Sequence, residues 1–244
     1  MVSLAKLFPG FIAIQMSKHL PSGIRLKDNL IKMWTVEIRV GVVHEHANVD
    51  FFTPEDRPYG LTYGQWTAKW WQWALSIPKN INPLIDEVGS FSNVGQSGPV
   101  WFLAGTLGEN KLPRRSCTVH SSKAMLFPVI NYEADLVQNP ELVDENDLIR
   151  HVTQDMDDIT VKVAVIDGEK TRAFRVKSDP EIFPVTLEAD NPIDLPNGTF
   201  NVAADGYWVF LKPLGFGDHK IYFHGACSGG TRNSQAQYNI SVIV

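Results

Sequence analysis

The segment Tyr207-Trp208-Val209-Phe210-Leu211 is followed by the connection Pro213-Leu214-Gly215-Phe216-Gly217-Asp218 and then by Lys220-Ile221-Tyr222-Phe223, and this stretch decides the fold class. Aromatic and β-branched residues dominate both apolar segments, and the Pro, Gly and Asp between them are turn chemistry. A third segment of the same kind, residues 237–243, lies near the C-terminus. Short strands split by Gly and Pro turns argue for a sandwich rather than alternating strand–helix–strand units.

Upstream, residues 182–187 read as another strand. Val161, Val163 and Val165 alternate, Asp167-Gly168 turns the chain, and residues 173–176 return it as a hairpin. Pro196 and Asn197-Gly198 mark a turn within 195–201. Residues 100–104 and 124–130 are continuous apolar runs of buried-strand type, with Pro128 marking an edge or a bulge. Val36, Ile38, Val40 and Val42 alternate as in a half-buried strand.

Two segments depart from the strand pattern. In 62–77, Thr62 and Gln65 have capping-box spacing and Pro78 stops the helix. At about 100° per residue, Tyr63, Trp66, Trp70, Trp73 and Ile77 share an arc of roughly 80°, and Trp71 flanks it. Gln65, Lys69, Gln72 and Ser76 form a narrow polar stripe, so most of this helix is expected to be covered by protein. Burying one Trp is worth about 4–6 kcal/mol gross, which makes exposure of four an improbable waste. In 145–159, Ile149, Val152, Met156 and Ile159 recur at helical spacing behind Asp144, Glu145 and Asp147. The expected architecture is therefore a mainly β, jelly-roll-like sandwich over residues 34–244 with two packed helices. Residues 1–33 are expected to be an N-terminal arm, disordered or processed.

The composition narrows the function. The formal net charge is −5 and no basic block occurs, so nucleic acid is not an expected partner. No run approaches the ~20 apolar residues of a membrane span. The apolar residues 7–14 follow Lys6 and resemble a weak signal-peptide core, broken by Pro9 and Gly10 and with no clear cleavage site. The compartment stays open between cytoplasm and secretion. Cys117 and Cys227 are too few for a disulfide framework, and no Cys-x-x-Cys occurs; they either pair across the sandwich or stay thiols. No glycine run forms a phosphate loop or dinucleotide fingerprint, so no cofactor is expected.

Three sets of residues carry candidate chemistry. Trp71, Tyr132 and Trp208 are the aromatics expected to meet a saccharide or a protein ligand, in a non-catalytic binding or structural module that could also self-associate. A surface platform of this kind requires an exposed aromatic patch. Glu133 and Asp205, each near a strand end, would suit a glycan hydrolase if their carboxyl groups lie about 5–10 Å apart in one cleft. His44 and His46, at i and i+2 of an extended segment, share a face and could hold a metal ion with a third ligand from elsewhere.

One resemblance adds to this. The run Tyr59-Gly60-Leu61-Thr62-Tyr63-Gly64-Gln65-Trp66-Thr67-Ala68-Lys69-Trp70-Trp71-Gln72-Trp73 is similar to the signature of a family of bacterial and archaeal proteins. So are Gly95-Gln96-Ser97-Gly98-Pro99-Val100-Trp101-Phe102-Leu103-Ala104-Gly105, Gly206-Tyr207-Trp208-Val209-Phe210-Leu211-Lys212-Pro213-Leu214 and the turn at Gly217 to His219. The resemblance runs from about Tyr59 to the C-terminus. It implies one domain of a shared type and designates no catalytic residue. It also implies a Cys just before Gly95, where this chain has Asn93 and Val94.

Overall fold

The computed structural model describes residues 49–108, 110–230 and 232–244. The strand expected at 36–42 and the pair His44 and His46 lie outside the described residues. Residues Val49–Val244 form one compact unit.

That unit is mainly β, with two five-stranded mixed sheets and two α-helices. The strands are β1 (Val100–Phe102), β2 (Arg114–His120), β3 (Ala124–Asp135), β4 (Ile159–Ile166), β5 (Glu169–Lys170), β6 (Phe174–Arg175), β7 (Ile182–Leu187), β8 (Gly198–Leu211), β9 (Gly217–Cys227) and β10 (Asn233–Ile243). One sheet runs β1-β3-β8-β6, with β7 also on β8; the other runs β2-β10-β9-β4-β5. The pairs β1–β3 and β2–β10 are parallel and the rest antiparallel. Between the sheets, Met125, Phe127, Val129, Val209 and Leu211 meet Ile221, Phe223, Ala236, Tyr238, Ile240 and Val242 in one core.

The outer face of the first sheet is covered by α1 (Tyr63–Ser76). Its Thr62/Gln65 capping box is formed in both directions. All four of its tryptophans are buried, and Gln65, Lys69, Gln72 and Ser76 are the residues that reach solvent. Trp70 sits at the centre, with ring centroids 5.0 Å from Trp71, 5.8 Å from Trp73 and 5.4 Å from Trp208 of β8. The helix α2 (Glu145–Asp157) packs Leu148 and Val152 on Ala134 and Ala203, against the opposite face of the same sheet. It stops two residues short of Ile159, which opens β4 instead.

Other differences from the sequence reading follow from pairing. The strands beginning at 198, 217 and 233 are much longer than their apolar cores, because ladder hydrogen bonds continue through polar residues. The expected hairpin pairs only Val165 and Ile166 with Lys170 and Glu169; Phe174–Arg175 crosses to the other sheet and joins β8. The strand β2 was not anticipated. It carries Arg115, whose fully buried guanidinium donates to the carbonyls of Leu84, Asp86, Ala104 and Gly105 and to the Tyr238 hydroxyl.

Candidate functional site

The bulge in β3 controls what this strand presents. Register with β8 is regular from Met125 to Pro128, shifts before Ile130, and resumes with Ile130 opposite Tyr207. One inserted residue reverses the alternation beyond it. Val129 and Ile130 therefore both point to the inner side. Tyr132 and Ala134 follow on that side, while Asn131, Glu133 and Asp135 turn to the face that carries α1. Beyond Leu126, β1 no longer flanks β3, so this stretch is an edge of the sheet.

At this edge lies a cleft of about 380 Å³. Trp70 and Trp71 of α1, Asn131 to Glu133 of β3, Gln138 and Asn139 of the following turn, and Arg232 to Ser234 at the start of β10 contribute to its wall. The four tryptophans of α1 differ here. Trp66 donates its indole N–H to the Pro58 carbonyl (2.8 Å), Trp70 to Leu103 (3.0 Å) and Trp73 to Val94 (2.9 Å). Trp71 Nε1 is buried with no partner among the described residues. Asn131 Nδ2, Glu133 Oε2 and Asn233 Oδ1, all on residues of the same wall, are likewise buried and unpartnered. Buried polar groups in folded proteins are normally satisfied, and each that is not costs about 1–3 kcal/mol. Four in one wall is a local concentration of unmet hydrogen-bonding capacity, with donors and acceptors both represented.

Glu133 is 7% exposed. Its Oε1 accepts from Gln138 Nε2 at 3.3 Å, and the same nitrogen reaches Asp135 Oδ2 at 2.7 Å. Burial, with the neighbouring Asp135 charge adding to it, pushes the Glu133 carboxyl up to about 8, against the weaker pull of the Gln138 bond. Tyr132 and Arg232 of the wall belong to a ring of four contacts that reaches α2. The Arg232 guanidinium lies 4.6 Å from the Tyr132 ring centroid and pairs with Asp155 Oδ1 at 2.6 Å. Asp155 Oδ2 is 3.7 Å from His151 Nε2, which is 3.5 Å from the Tyr132 hydroxyl.

Of the residues singled out in the sequence, Trp71, Tyr132 and Glu133 come together in this cleft. Trp208 does not. It is fully buried under α1, opposite Pro128. Asp205 also lies elsewhere. It pairs with Tyr132 across the ladder, whereas Glu133 pairs with Ala204, so the two carboxyl groups emerge on opposite faces of one sheet. The Asp205 carboxylate accepts from Arg175 Nε and Nη2 (3.0 and 2.9 Å) and from the Gly206 N–H, and Arg175 also reaches Asp157 and the Thr153 carbonyl of α2. It is a structural anchor, and a Glu133/Asp205 acid pair is not formed. Among the described residues the tryptophans form no exposed platform: Trp66, Trp70, Trp71, Trp73 and Trp208 are buried and Trp101 is half-buried.

Asn131, Gln138, Arg232 and Asn233 escaped the sequence reading, since single polar residues at strand ends carry no pattern. Cys117 and Cys227 are both thiols, and burial raises the Cys117 thiol to about 12, far from nucleophile range. Among the described residues no group of His, Cys, Asp and Glu has metal-site geometry, and no helix is long and apolar enough to cross a membrane. Comparison of the chain with protein-family models, with curated proteins and with solved structures gives no match.

Proposed function

We propose that the protein is a non-catalytic binding module that takes a small hydroxyl-bearing ligand, a saccharide, in the cleft between α1 and the free edge of β3. The observation that carries this reading is the mixed set of unpartnered polar atoms in its wall: Trp71 Nε1, Asn131 Nδ2, Glu133 Oε2 and Asn233 Oδ1. An anion would satisfy the indole and amide N–H groups and leave Asn233 Oδ1 without a donor. A cation would satisfy acceptors and leave the indole and amide N–H groups stranded. A hydroxyl group both donates and accepts, so one class of ligand serves all four. Aromatic surface from Trp70, Trp71 and Tyr132 beside such polar groups is the usual make-up of a small-ligand pocket. The orphan atoms lie just beneath the wall, so binding involves side-chain rotation to present them.

The test is a titration of the protein with D-glucose, D-galactose, D-mannose and D-xylose, following tryptophan emission. Saturable change with at least one sugar is expected, and Trp71→Phe should weaken it about tenfold through loss of one hydrogen bond in a desolvated site. Absence of a saturable response to all four, or an unchanged affinity in Trp71→Phe, overturns the reading.

A further inference from the structure

We infer that Glu133 is the specificity-determining residue of this cleft, entering it as an un-ionised carboxyl group that donates from Oε2 to a ligand oxygen. The inference rests on the cleft being a ligand site and deepens that reading, because it says which charge state of the wall the ligand meets.

The geometry allocates the proton. Glu133 and Asp135 project from the same face of β3, both buried, and one amide nitrogen of Gln138 serves them both. Two carboxylates sharing a single neutral donor in a dry site cannot both be ionised cheaply. The nearest guanidinium in the wall, Arg232, is already engaged by Asp155. No ion pair links Glu133 or Asp135 to a cation among the described residues. The two acids are unequally equipped for charge. Asp135 accepts from the backbone N–H groups of Val137 (2.6 Å) and Gln138 (2.9 Å) and takes the shorter bond from the Gln138 amide. Glu133 has only the longer bond, and its second oxygen is unpartnered. Hydrogen bonds to the charged form favour ionisation, and Glu133 has too few of them to offset its burial, so it keeps its proton.

The groups surrounding Glu133 agree with this. On its own strand it has Asn131, Tyr132 and Asp135. From α1 come Trp70 and Trp71, neither titratable. The turn after β3 brings Gln138 and Asn139; the β10 end brings Arg232, bound to Asp155; and α2 brings Asp155 and His151 on the far side of Tyr132. The elevated carboxyl value is the consequence. Chemically, a neutral acid in the wall rewards a ligand hydroxyl or ring oxygen and adds no charge of its own to attract an ammonium group, and Asp135 does not line the cleft. A carboxylate there would do the opposite. Neutral sugars are therefore selected over their protonated 2-amino counterparts.

Two measurements test this on the full chain. The first is infrared difference spectroscopy of the ligand-free protein near pH 6.5, comparing wild type with Glu133→Gln. The carbonyl-stretch band of an un-ionised carboxyl should be present in wild type and absent in the variant. The second repeats the sugar titrations with D-glucosamine and D-galactosamine added. Glu133→Gln, which keeps size and neutrality, should bind the neutral sugar within about threefold of wild type, while Glu133→Ala should lose about tenfold. The amino sugars should show no gain over the neutral ones, and wild-type affinity for the neutral sugar should fall above about pH 8, a fall absent from Glu133→Gln. A missing band, or tighter binding of the amino sugars, overturns the inference. A band that is present while none of the sugars binds overturns the saccharide reading and leaves the protonation of Glu133 standing, so the two failures are told apart.

Discussion

Replacing each tryptophan of α1 by phenylalanine separates a ligand-facing indole from three structural ones. The substitution removes roughly 40 Å³ and, at ~24 cal/mol per Å³ of cavity, costs about 1 kcal/mol at any fully buried site. What remains differs between positions. In Trp70→Phe the Leu103 carbonyl loses its donor, and the 3.0 Å bond lies in the interior. Stranding that acceptor adds about 1–3 kcal/mol. Trp66→Phe costs less, because the Pro58 carbonyl still accepts from the Leu61 N–H (3.3 Å). Trp71→Phe strands nothing, because its N–H has no protein partner, and instead removes a buried unsatisfied donor. The relief of about 1–3 kcal/mol offsets the cavity, so the variant should be as stable as wild type or slightly more so. The expected order of stability in urea denaturation is Trp71→Phe, then Trp66→Phe, then Trp70→Phe, the first and last separated by about 2–6 kcal/mol, with unchanged m-values. Since the cavity contribution is common to all, the gap reports the hydrogen bond alone. Equal destabilisation by Trp71→Phe and Trp70→Phe would refute the reasoning, since it would mean that the Trp71 N–H is satisfied in the folded protein.

Glu133 makes the fold itself sensitive to pH. A carboxyl raised from 4.5 to about 8 on folding holds its proton longer in the native state. Its contribution is complete below pH 4.5 and is lost as pH rises towards 8, on the order of 5 kcal/mol over the window. Urea midpoints should therefore fall between pH 5 and 8.5 in wild type and fall less in Glu133→Gln; parallel profiles would contradict the assignment. Arg115→Met should cost about 3–5 kcal/mol, because four loop and strand carbonyls and the Tyr238 hydroxyl lose a buried donor together; a loss under 1 kcal/mol in chemical denaturation would show that the guanidinium is replaceable. Gly206→Ala places a Cβ 2.7 Å from both Asn131 Cβ and Trp208 Nε1 and 3.0 Å from Asn131 Cα, so thermal unfolding should shift down by the equivalent of about 1–3 kcal/mol.

The difference between what could and could not be read from the sequence follows the range of the interactions. The helix α1 was legible to within a residue because its caps, its stop and its polar stripe are all set within a few positions of one another. The same wheel placed Trp71 off the main arc, and that residue is the one indole of the helix without a carbonyl partner. The strand β2 was invisible because Arg114-Arg115-Ser116-Cys117 looks polar, and the burial of Arg115 depends on carbonyls up to 31 residues away. The hairpin after Val165 failed for a similar reason: Arg175 is drawn to Asp205, thirty positions on, and takes its strand to the other sheet.

The position of Glu133 shows the same limit most sharply. A Pro at 128 signalled a bulge or an edge, but whether a residue is inserted there is settled by pairing with β8 some eighty residues away. Without the insertion, the alternation Phe127, Val129 would carry residues 131 and 133 to the inner side. Asp205 would remain opposite Tyr132 only if the whole register slipped. With the insertion, Glu133 turns to α1 and joins Asp135 beneath Gln138, and Tyr132 turns towards α2 and Asp155. One inserted residue thus parts the two acids that sequence alone had paired. Glu133 and Asp135 share a face in either register, and the insertion decides that this face is the one that carries α1, so the place of the shared-donor pair beside the tryptophans is a consequence of strand register.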